Sequence, residues 1–567
     1  MAENKNCKQC EKEFVVEDED IKFYENISPT FDGQQFAIPS PTLCPDCRAI
    51  RRYIWRNERS LYKRKSDKSG KEMVSIYSPN KTDYKVYSVD EWWADDWDAT
   101  SYGRDFDFSK PFFEQFKNLL LDVPVMSLRN TKTENCDFVN YTSESRNCYM
   151  CVVAYNGTED SIYSYWIYAS KNCVDCSFID HNENCYEIVT SNGNYGCRYS
   201  LRINNCRDCY FSVDLTGCSN CFMCSNMNHK EYCFRNEQLT KDEYEKKISE
   251  INLGSFKEIE QLKAEFEDFK KKQVVKYATK INCEDCEGDD LLECKNVKKS
   301  FACIRMENAR FSMGGAAGGS KYVWDSMGGG FEWVLESQHT AFGSNYLFCS
   351  GVLYCSNMTY CENCQNSHDC FGCVGLKGKQ YCVFNKQYSK EDYEKLTGKI
   401  ITHMQKNGEW GEFYPAELCP FAYNETLSHL YFPKTKEQAL AAGFKWQDED
   451  FASEYKGEVY EPKDDIKEYS DNAEKEKLLG GILKCEKSGK PFKIIPQELV
   501  FYINQGIPIP RKHYDVRFQH RFDWRNPHKL YHRKCMHDGC TNEFETTYAP
   551  DRSERVYCES CYQKEVK

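Results

Sequence analysis

The sequence predicts a mainly β chain: a duplicated right-handed parallel β-helix, flanked by N- and C-terminal zinc-ribbon modules and closed by short capping helices. Three observations predict it. Along Cys176, Cys185, Cys197, Cys206 and Cys218 the spacings are 9, 12, 9 and 12 residues, and nine plus twelve is a repeat of 21. A fixed period of that size means stacked units that bury a core only against their neighbours. Closely paired cysteines stand near both ends of the chain. Finally, KEYCFRNEQLTKDEYEK (230–246) matches KQYCVFNKQYSKEDYEK (379–395) at nine of seventeen positions without a gap, so the cysteine-rich unit occurs twice.

A chain of 567 residues outgrows one core and implies several domains. With 39 Tyr and 34 Phe it is not a mostly disordered protein. The net charge of -13 excludes a whole-chain electrostatic nucleic-acid binder, so any such contact needs a local patch. The start, MAENKNCKQC, lacks the apolar core of a secretory leader, and no run of about 18 apolar residues is present to span a membrane. The 34 cysteines, many in CxxC pairs, then read as thiols and metal ligands rather than disulfides, and the expected location is cytoplasmic.

Residues 1–90 read as the first zinc-ribbon module. Cys7 and Cys10 form one pair, Cys44 and Cys47 the next, and two such knuckles suit a structural Zn²⁺ held by four thiolates. RAIRRYIWRNERSLYKRK (48–65) follows, with Arg48, Arg52, Arg56, Arg59 and Lys63 at helical spacing and Tyr53, Trp55 and Tyr62 between them. A basic, aromatic helix is a candidate phosphate-contacting face; a solvated helix packing its aromatics on the ribbon is the alternative.

Residues 91–129 form an acidic, Trp-rich connector with a helix capped by Ser109, whose face Phe112, Phe113, Phe116, Leu119 and Leu120 is expected to cover the first coil. Residues 130–275 hold the first cysteine-rich unit. Asn-Cys recurs at 135/136, 147/148, 172/173, 184/185, 205/206 and 220/221. Asn tolerates left-handed backbone at a sharp turn and can bond its neighbours above and below, while Cys fits an inner corner. Thr240 to Glu243 is a capping box that opens two helical segments broken near Gly254. Residues 276–407 repeat this plan, with a Gly-rich stretch (313–333) that lacks a phosphate-loop pattern and reads as tight turns. Residues 408–446 read as an ordered connector, with Thr435 capping a short helix, and 447–480 as an acidic linker.

Residues 481–567 repeat the N-terminal module. RFQHRFDWRNPHKLYHRK (517–534) aligns to 48–65 with nine of eighteen identities, which pairs Arg517, Arg521, Trp524, Arg525 and Arg533 with Arg48, Arg52, Trp55, Arg56 and Arg64. Cys485, Ser488, His513 and Val516 take the places of Cys7, Cys10, Cys44 and Cys47. Conversely, Cys535, Cys540, Cys558 and Cys561 form a second four-cysteine set, and Ser88 and Glu91 stand where Cys558 and Cys561 would be. One ancestral module with two sites has kept a different site in each copy. Reciprocal loss points to zinc that holds structure, because a four-thiolate site has no open position for a reacting water.

CPDCRAIRR, YGRDFDFSKPFFEQF, CFGCVGLKGKQYCVFNKQYSKEDYEK, HMQKNGEWGEFYPAELCPFAYNET, SGKPFKIIPQEL and VYCESC resemble blocks of uncharacterised cysteine-rich zinc-ribbon proteins from bacteria with reduced genomes. The resemblance spans nearly the whole chain and implies no catalytic residue.

The function expected from these features is a non-catalytic zinc scaffold with two structural Zn²⁺ sites. Its basic helices would meet nucleic acid or the ribosome and its solenoid a protein partner, with neither a membrane nor a small-molecule substrate. Two other readings stand beside it. The solenoid thiols could handle metal or redox chemistry. The third reading, a carbohydrate-active β-helix enzyme, would use Asp160, Asp175, Asp180, Glu183, Glu187 or Asp214, although acidic residues on a solenoid are usually its solvated face. His181, His229, His339 and His368 are scattered.

Overall fold

In a computed structural model, which describes residues 2–315, 318–449, 455 and 457–566, two large parallel sheets dominate a mixed α/β architecture. The first sheet has nine strands in ascending chain order, from Asn130–Glu134 to Ser225–Asn228. The second has twelve, between Gly288–Asp289 and Lys386–Gln387. Among the described residues no helix is long and apolar enough to cross a membrane.

The stacking period is twelve residues, not 21. Tyr165 pairs with Ser177 and Ser177 with Val189; in the second sheet Ser344 pairs with Ser356, Ser356 with His368 and His368 with Gln380. A finer period lies beneath it. Asn172, Asp175, Phe178, His181, Asn184, Glu187 and Thr190 all have φ between 48° and 57°. The residue after each one turns inward: Cys173, Cys176, Ile179, Asn182, Cys185, Ile188 and Ser191 are all buried. One rung is therefore four three-residue sides, each begun by a left-handed corner. Spacings of 9 and 12 are three and four sides. Any multiple of three keeps a cysteine inside, but only a multiple of twelve places it above another. All six Asn-Cys pairs follow this rule, with Asn left-handed and Cys inward. The outer asparagines also bond from rung to rung, as in Asn135 to Asn147 at 2.8 Å and Asn172 to Asn184 at 2.6 Å.

So narrow an interior cannot leave backbone groups unpaired, and this explains its cysteines. The Sγ of Cys355 accepts the Ser367 N–H at 3.2 Å and lies 3.2 Å and 3.6 Å from the carbonyls of Leu353 and Cys364. Ser164 repeats the arrangement with oxygen, accepting from the Cys176 N–H at 3.2 Å. A small side chain that both donates and accepts is what the position requires. Cys355→Ser is therefore expected to stay within about 1 kcal/mol of the parent, whereas Cys355→Ala strands the Ser367 N–H and costs about 1–3 kcal/mol. Urea denaturation of the two variants separates them, and equal losses would remove this explanation.

Both stacks close alike. A hairpin of Glu231–Phe234 with Glu237–Gln238 leads into the helix Lys241–Ser249, capped by Thr240 as expected. The hairpin Gln380–Val383 with Lys386–Gln387 leads into Lys390–Asn407, capped by Ser389. The helix Phe112–Asp122 forms, but Ser109 does not cap it, because its hydroxyl bonds Asp107. The N–H groups of Phe112 and Phe113 donate instead to the Glu409 carboxylate, each at 2.9 Å. Phe112 packs on Tyr360, Phe371 and Phe384, so the helix covers the last rungs of the second stack rather than the first coil.

In the Gly-rich stretch and just after it, rungs press close together. A Cβ at Gly343 would lie 1.8 Å from the Cys355 carbonyl, and one at Gly330 2.5 Å from that of Gly343. Ala316 and Ala317 of that stretch, and residues 450–454 and 456 of the expected acidic linker, lie outside the described residues. The rest of that linker is ordered where composition hid it. Ile466–Ser470 and Asn472–Gly480 are helical, and their Tyr469 and Leu478 are fully buried in a cluster with Tyr502.

Candidate metal centres and their docking arginines

The knuckle holding Cys7 and Cys10 joins the antiparallel strands Glu3–Asn6 and Glu13–Val16. Cys44 is the N-cap of the helix Pro45–Tyr53, one turn of which carries Cys47. The four Sγ atoms lie within 4.8 Å of one another. In the C-terminal module Cys535 and Cys540 follow the strand Tyr531–Lys534, and Cys558 is the N-cap of Glu559–Glu565, which carries Cys561. These four sulfurs also lie within 4.8 Å. Zn–S bonds of about 2.3 Å in a tetrahedron place sulfurs roughly 3.8 Å apart. Cys10 and Cys44 are 3.7 Å apart and Cys540 and Cys558 3.9 Å apart, so both sets fit the ion.

Ligation requires thiolate, and in each set one thiol is brought down toward it while burial and neighbouring thiols push up Cys10 and Cys47 in the first set and Cys535 and Cys561 in the second. Hydrogen bonding from Cys47 outweighs burial and brings Cys44 down to about 5. Cys558 reaches about 5 as well: burial opposes this, but bonds from Ser560, Asn542 and Cys561 prevail. Among the described residues these are the two groups of three or more possible ligands that converge.

The two lost sites keep the knuckle without the metal. The Cys7 N–H bonds the Lys12 carbonyl and the Glu11 N–H returns to Cys7. Ser66 repeats this with Lys71 and Gly70, and Cys485 with Lys490 and Gly489. In the N-terminal copy a hydrogen-bonded knot fills the second site: Ser66 donates to Glu91, and Glu91 bonds both ways with Ser88. Burial would raise the Glu91 carboxyl, but bonds from Ser66, Ser69 and Ser88 hold it near 2. The alignment pointed to Ser88 and Glu91; Ser66 lies one residue beyond the aligned stretch, opposite Cys535, and extending that register finds it. In the C-terminal copy Ser488 N–H donates to Cys485 and His513 caps the helix Tyr514–Asp523.

The structure corrects the expected basic helix. The helix stops at Tyr53, and Tyr62–Lys65 is a strand, so Arg48, Arg52, Arg56, Arg59 and Lys63 do not share a face. The arginines also point inward. Arg48 and Arg52 both grip Asp325 of the second stack, at 3.0 Å and 3.2 Å, with the carboxylate fully buried. Their counterparts Arg517 and Arg521 both grip Asp175 of the first stack, Arg521 at 2.6 Å, and this carboxylate is also fully buried. Burial opposes charge on Arg48 and Arg517, yet the facing aspartates raise both above the usual arginine range. Each module thus latches onto the stack distant from it in the chain. Asp175 and Asp325 both occupy left-handed corners, the positions whose side chains point out of the rung.

The other expected phosphate contacts are likewise occupied. Arg56 pairs with Glu58 at 2.6 Å and lies over Tyr141. Arg525 pairs with Asp290 at 2.7 Å and lies over Phe178. Arg59 crosses to the other module, over Phe518 and 3.0 Å from Asp515. Trp55 packs on Tyr414, and Trp524 donates to Glu267. Arg64 pairs with Asp67, and Arg533 donates to the Ala549 carbonyl. An arginine that docks on a buried carboxylate and one that docks on phosphate use the same fork, so sequence alone could not tell them apart.

The acidic residues of the first stack are not a uniform solvated face. Besides Asp175, Glu187 is buried and held by Lys263 at 2.9 Å, and Asp214 pairs with Arg202 at 2.7 Å. No protein-family model matches the chain, and no curated protein matches it.

Proposed function

We propose that this is a non-catalytic zinc-binding scaffold in which two right-handed β-solenoids are clasped side by side by crossed zinc-ribbon modules. The crossed pair of latches, Arg48 and Arg52 on Asp325 and Arg517 and Arg521 on Asp175, carries the reading. The same arginines recur in both modules while the zinc sites differ, so the recurrent feature is docking. Zinc supplies rigidity at each knuckle; the latch transmits it to the solenoid.

The metal-handling and redox alternative is disfavoured because interior thiols such as Cys355 and Cys218 are engaged with backbone groups. The enzyme alternative is disfavoured because Asp175, Glu187 and Asp214 are committed to ion pairs. A protein partner would meet the outer solenoid faces. The nucleic-acid role loses most of its side chains, since phosphate would have to displace the buried carboxylates on Arg48, Arg52, Arg56, Arg517 and Arg521, while Arg59 and Arg64 are paired with the half-exposed Asp515 and Asp67. Filter binding against RNA and DNA at 50 and 200 mM salt is expected to show no steep salt dependence. A loss of about 10³-fold across that range, the mark of six or more phosphate contacts, would overturn the docking assignment.

A further inference from the structure

We propose that the cleft between the two stacks is a binding site for a neutral oligosaccharide. The cleft has a volume of about 210 Å³ and is lined by both stacks. That is less than the roughly 300–1,000 Å³ of an enclosing site for a drug-sized molecule, so a longer ligand lies along the open cleft with part of it in solvent.

Two kinds of lining group converge there. On the first stack Tyr155 and Tyr168 sit on successive rungs with their rings stacked 5.9 Å apart. On the second, Phe342 and Tyr354 stack 4.7 Å apart, and their exposures of 38% and 53% are high for rings of this size. An aromatic face carries negative charge density that attracts the polarised C–H groups on the flat side of a pyranose ring. Beside these rings stand four buried polar atoms with no partner among the described residues: Arg129 Nη1, Trp166 Nε1, Thr340 Oγ1 and Asn363 Nδ2. Trp166, Thr340 and Asn363 are 7%, 2% and 1% exposed. A buried polar atom without a partner is a standing penalty, and a ligand whose hydroxyls reach these atoms as the surrounding side chains shift removes it.

The charges specify a neutral ligand. Arg56 and Arg129 are already paired with Glu58 and Glu362, at 2.6 Å and 2.9 Å. Glu144, the carboxylate among the described lining residues, is paired with Lys132 at 3.1 Å. Donors without spare charge, beside apolar faces, match a chain of pyranose hydroxyls. Hydrolysis would need a second carboxyl group across the scissile bond, so the site binds without cleaving.

The test is titration of the full-length, zinc-loaded protein with hexamers of β-1,4-glucose, β-1,4-N-acetylglucosamine, α-1,4-glucose and α-1,6-mannose, read by calorimetry and tryptophan fluorescence. At least one hexamer is expected to bind once per chain and to shift the Trp emission. Tyr354→Ala and Phe342→Ala, both at exposed positions, are expected to weaken it about tenfold, the equivalent of losing one ring contact. Tyr195→Ala, an exposed ring outside the cleft, is expected to leave affinity unchanged. No binding of any hexamer up to millimolar concentration would overturn the proposal, and so would binding that the Tyr354 and Phe342 variants leave intact. Zinc content and circular dichroism of each variant separate loss of the site from loss of the fold.

Discussion

Chelation of the metal is expected to release two zinc ions per chain and to open the zinc knuckles of both terminal modules while the stacked sheets persist. Each knuckle has little else to hold it, whereas the rest of each module packs into larger cores, through Phe23, Ile50 and Trp55 in one and Leu499, Tyr502 and Ile509 in the other. Around the first site the buried cluster is Cys7, Leu43, Cys44 and Cys47, with Phe14 packed against it. Structural zinc contributes about 10–16 kcal/mol to folding of such small units, far more than a cluster of that size can supply by burial. The stacks differ, because hydrogen bonds running from rung to rung satisfy their interiors without metal. Cys44→Ser should leave one zinc and loosen the N-terminal module alone; Cys558→Ser should do the same at the other end. Native mass spectrometry gives the metal count, and amide exchange shows which module opens. Metal-free protein with undiminished protection in both modules would refute the structural role.

Asp325→Ala and Asp175→Ala are each expected to destabilise the protein by about 3 kcal/mol, because each removes the nearest carboxylate of two buried arginines and leaves a more distant one, Glu336 at 4.0 Å from Arg48 and Arg52 and Glu498 at 3.5 Å from Arg517. The effects should fall on opposite modules, the N-terminal one for Asp325 and the C-terminal one for Asp175. Amide exchange resolves them even where overall unfolding is not two-state. A three-way replacement, Arg48→Met with Arg52→Met and Asp325→Leu, should recover part of the loss, since it removes the desolvation of three charges and leaves the buried Glu336 paired with Arg51 at 2.8 Å. High salt should barely affect either latch, whereas it should weaken the exposed pair of Lys132 and Glu144. A loss below about 1 kcal/mol for both aspartate variants would mean that the latches do not hold the modules.

The cysteine ligands show where spacing is sufficient information. Four thiols in two close pairs have few other uses, and both sets converge as the pairing implied. Thr240 and Thr435 show the same for local hydrogen bonding, since each capping box closes within its own four residues. Ser109 shows the limit. It had the right identity before a helix, but Glu409, far away in sequence, took the cap.

The rung period marks a subtler limit. The interior of a three-residue side accepts Cys, Ser, Asn, Ala or Ile, so the true period was diluted across several residue types. Only the cysteines stood out, at multiples of three that include 21. Left-handed corners at Phe178, Tyr199 and Phe211 were also hidden, because bulky residues seldom adopt that backbone alone. Rung-to-rung hydrogen bonds and the elements docked outside make them tolerable here.

By itself, then, the sequence determined the two converging four-cysteine sets, the inward cysteines and the helix starts at Thr240 and Thr435, all of which rest on contacts close along the chain or on a repeated local rule. Only the tertiary structure decided that the arginines face Asp175 and Asp325 instead of solvent, that the modules cross to opposite stacks, and that an aromatic cleft opens between those stacks. A guanidinium is equally suited to phosphate and to a carboxylate, and the choice depends on a partner that can be more than 270 residues away, as Asp325 is from Arg48 and Arg52.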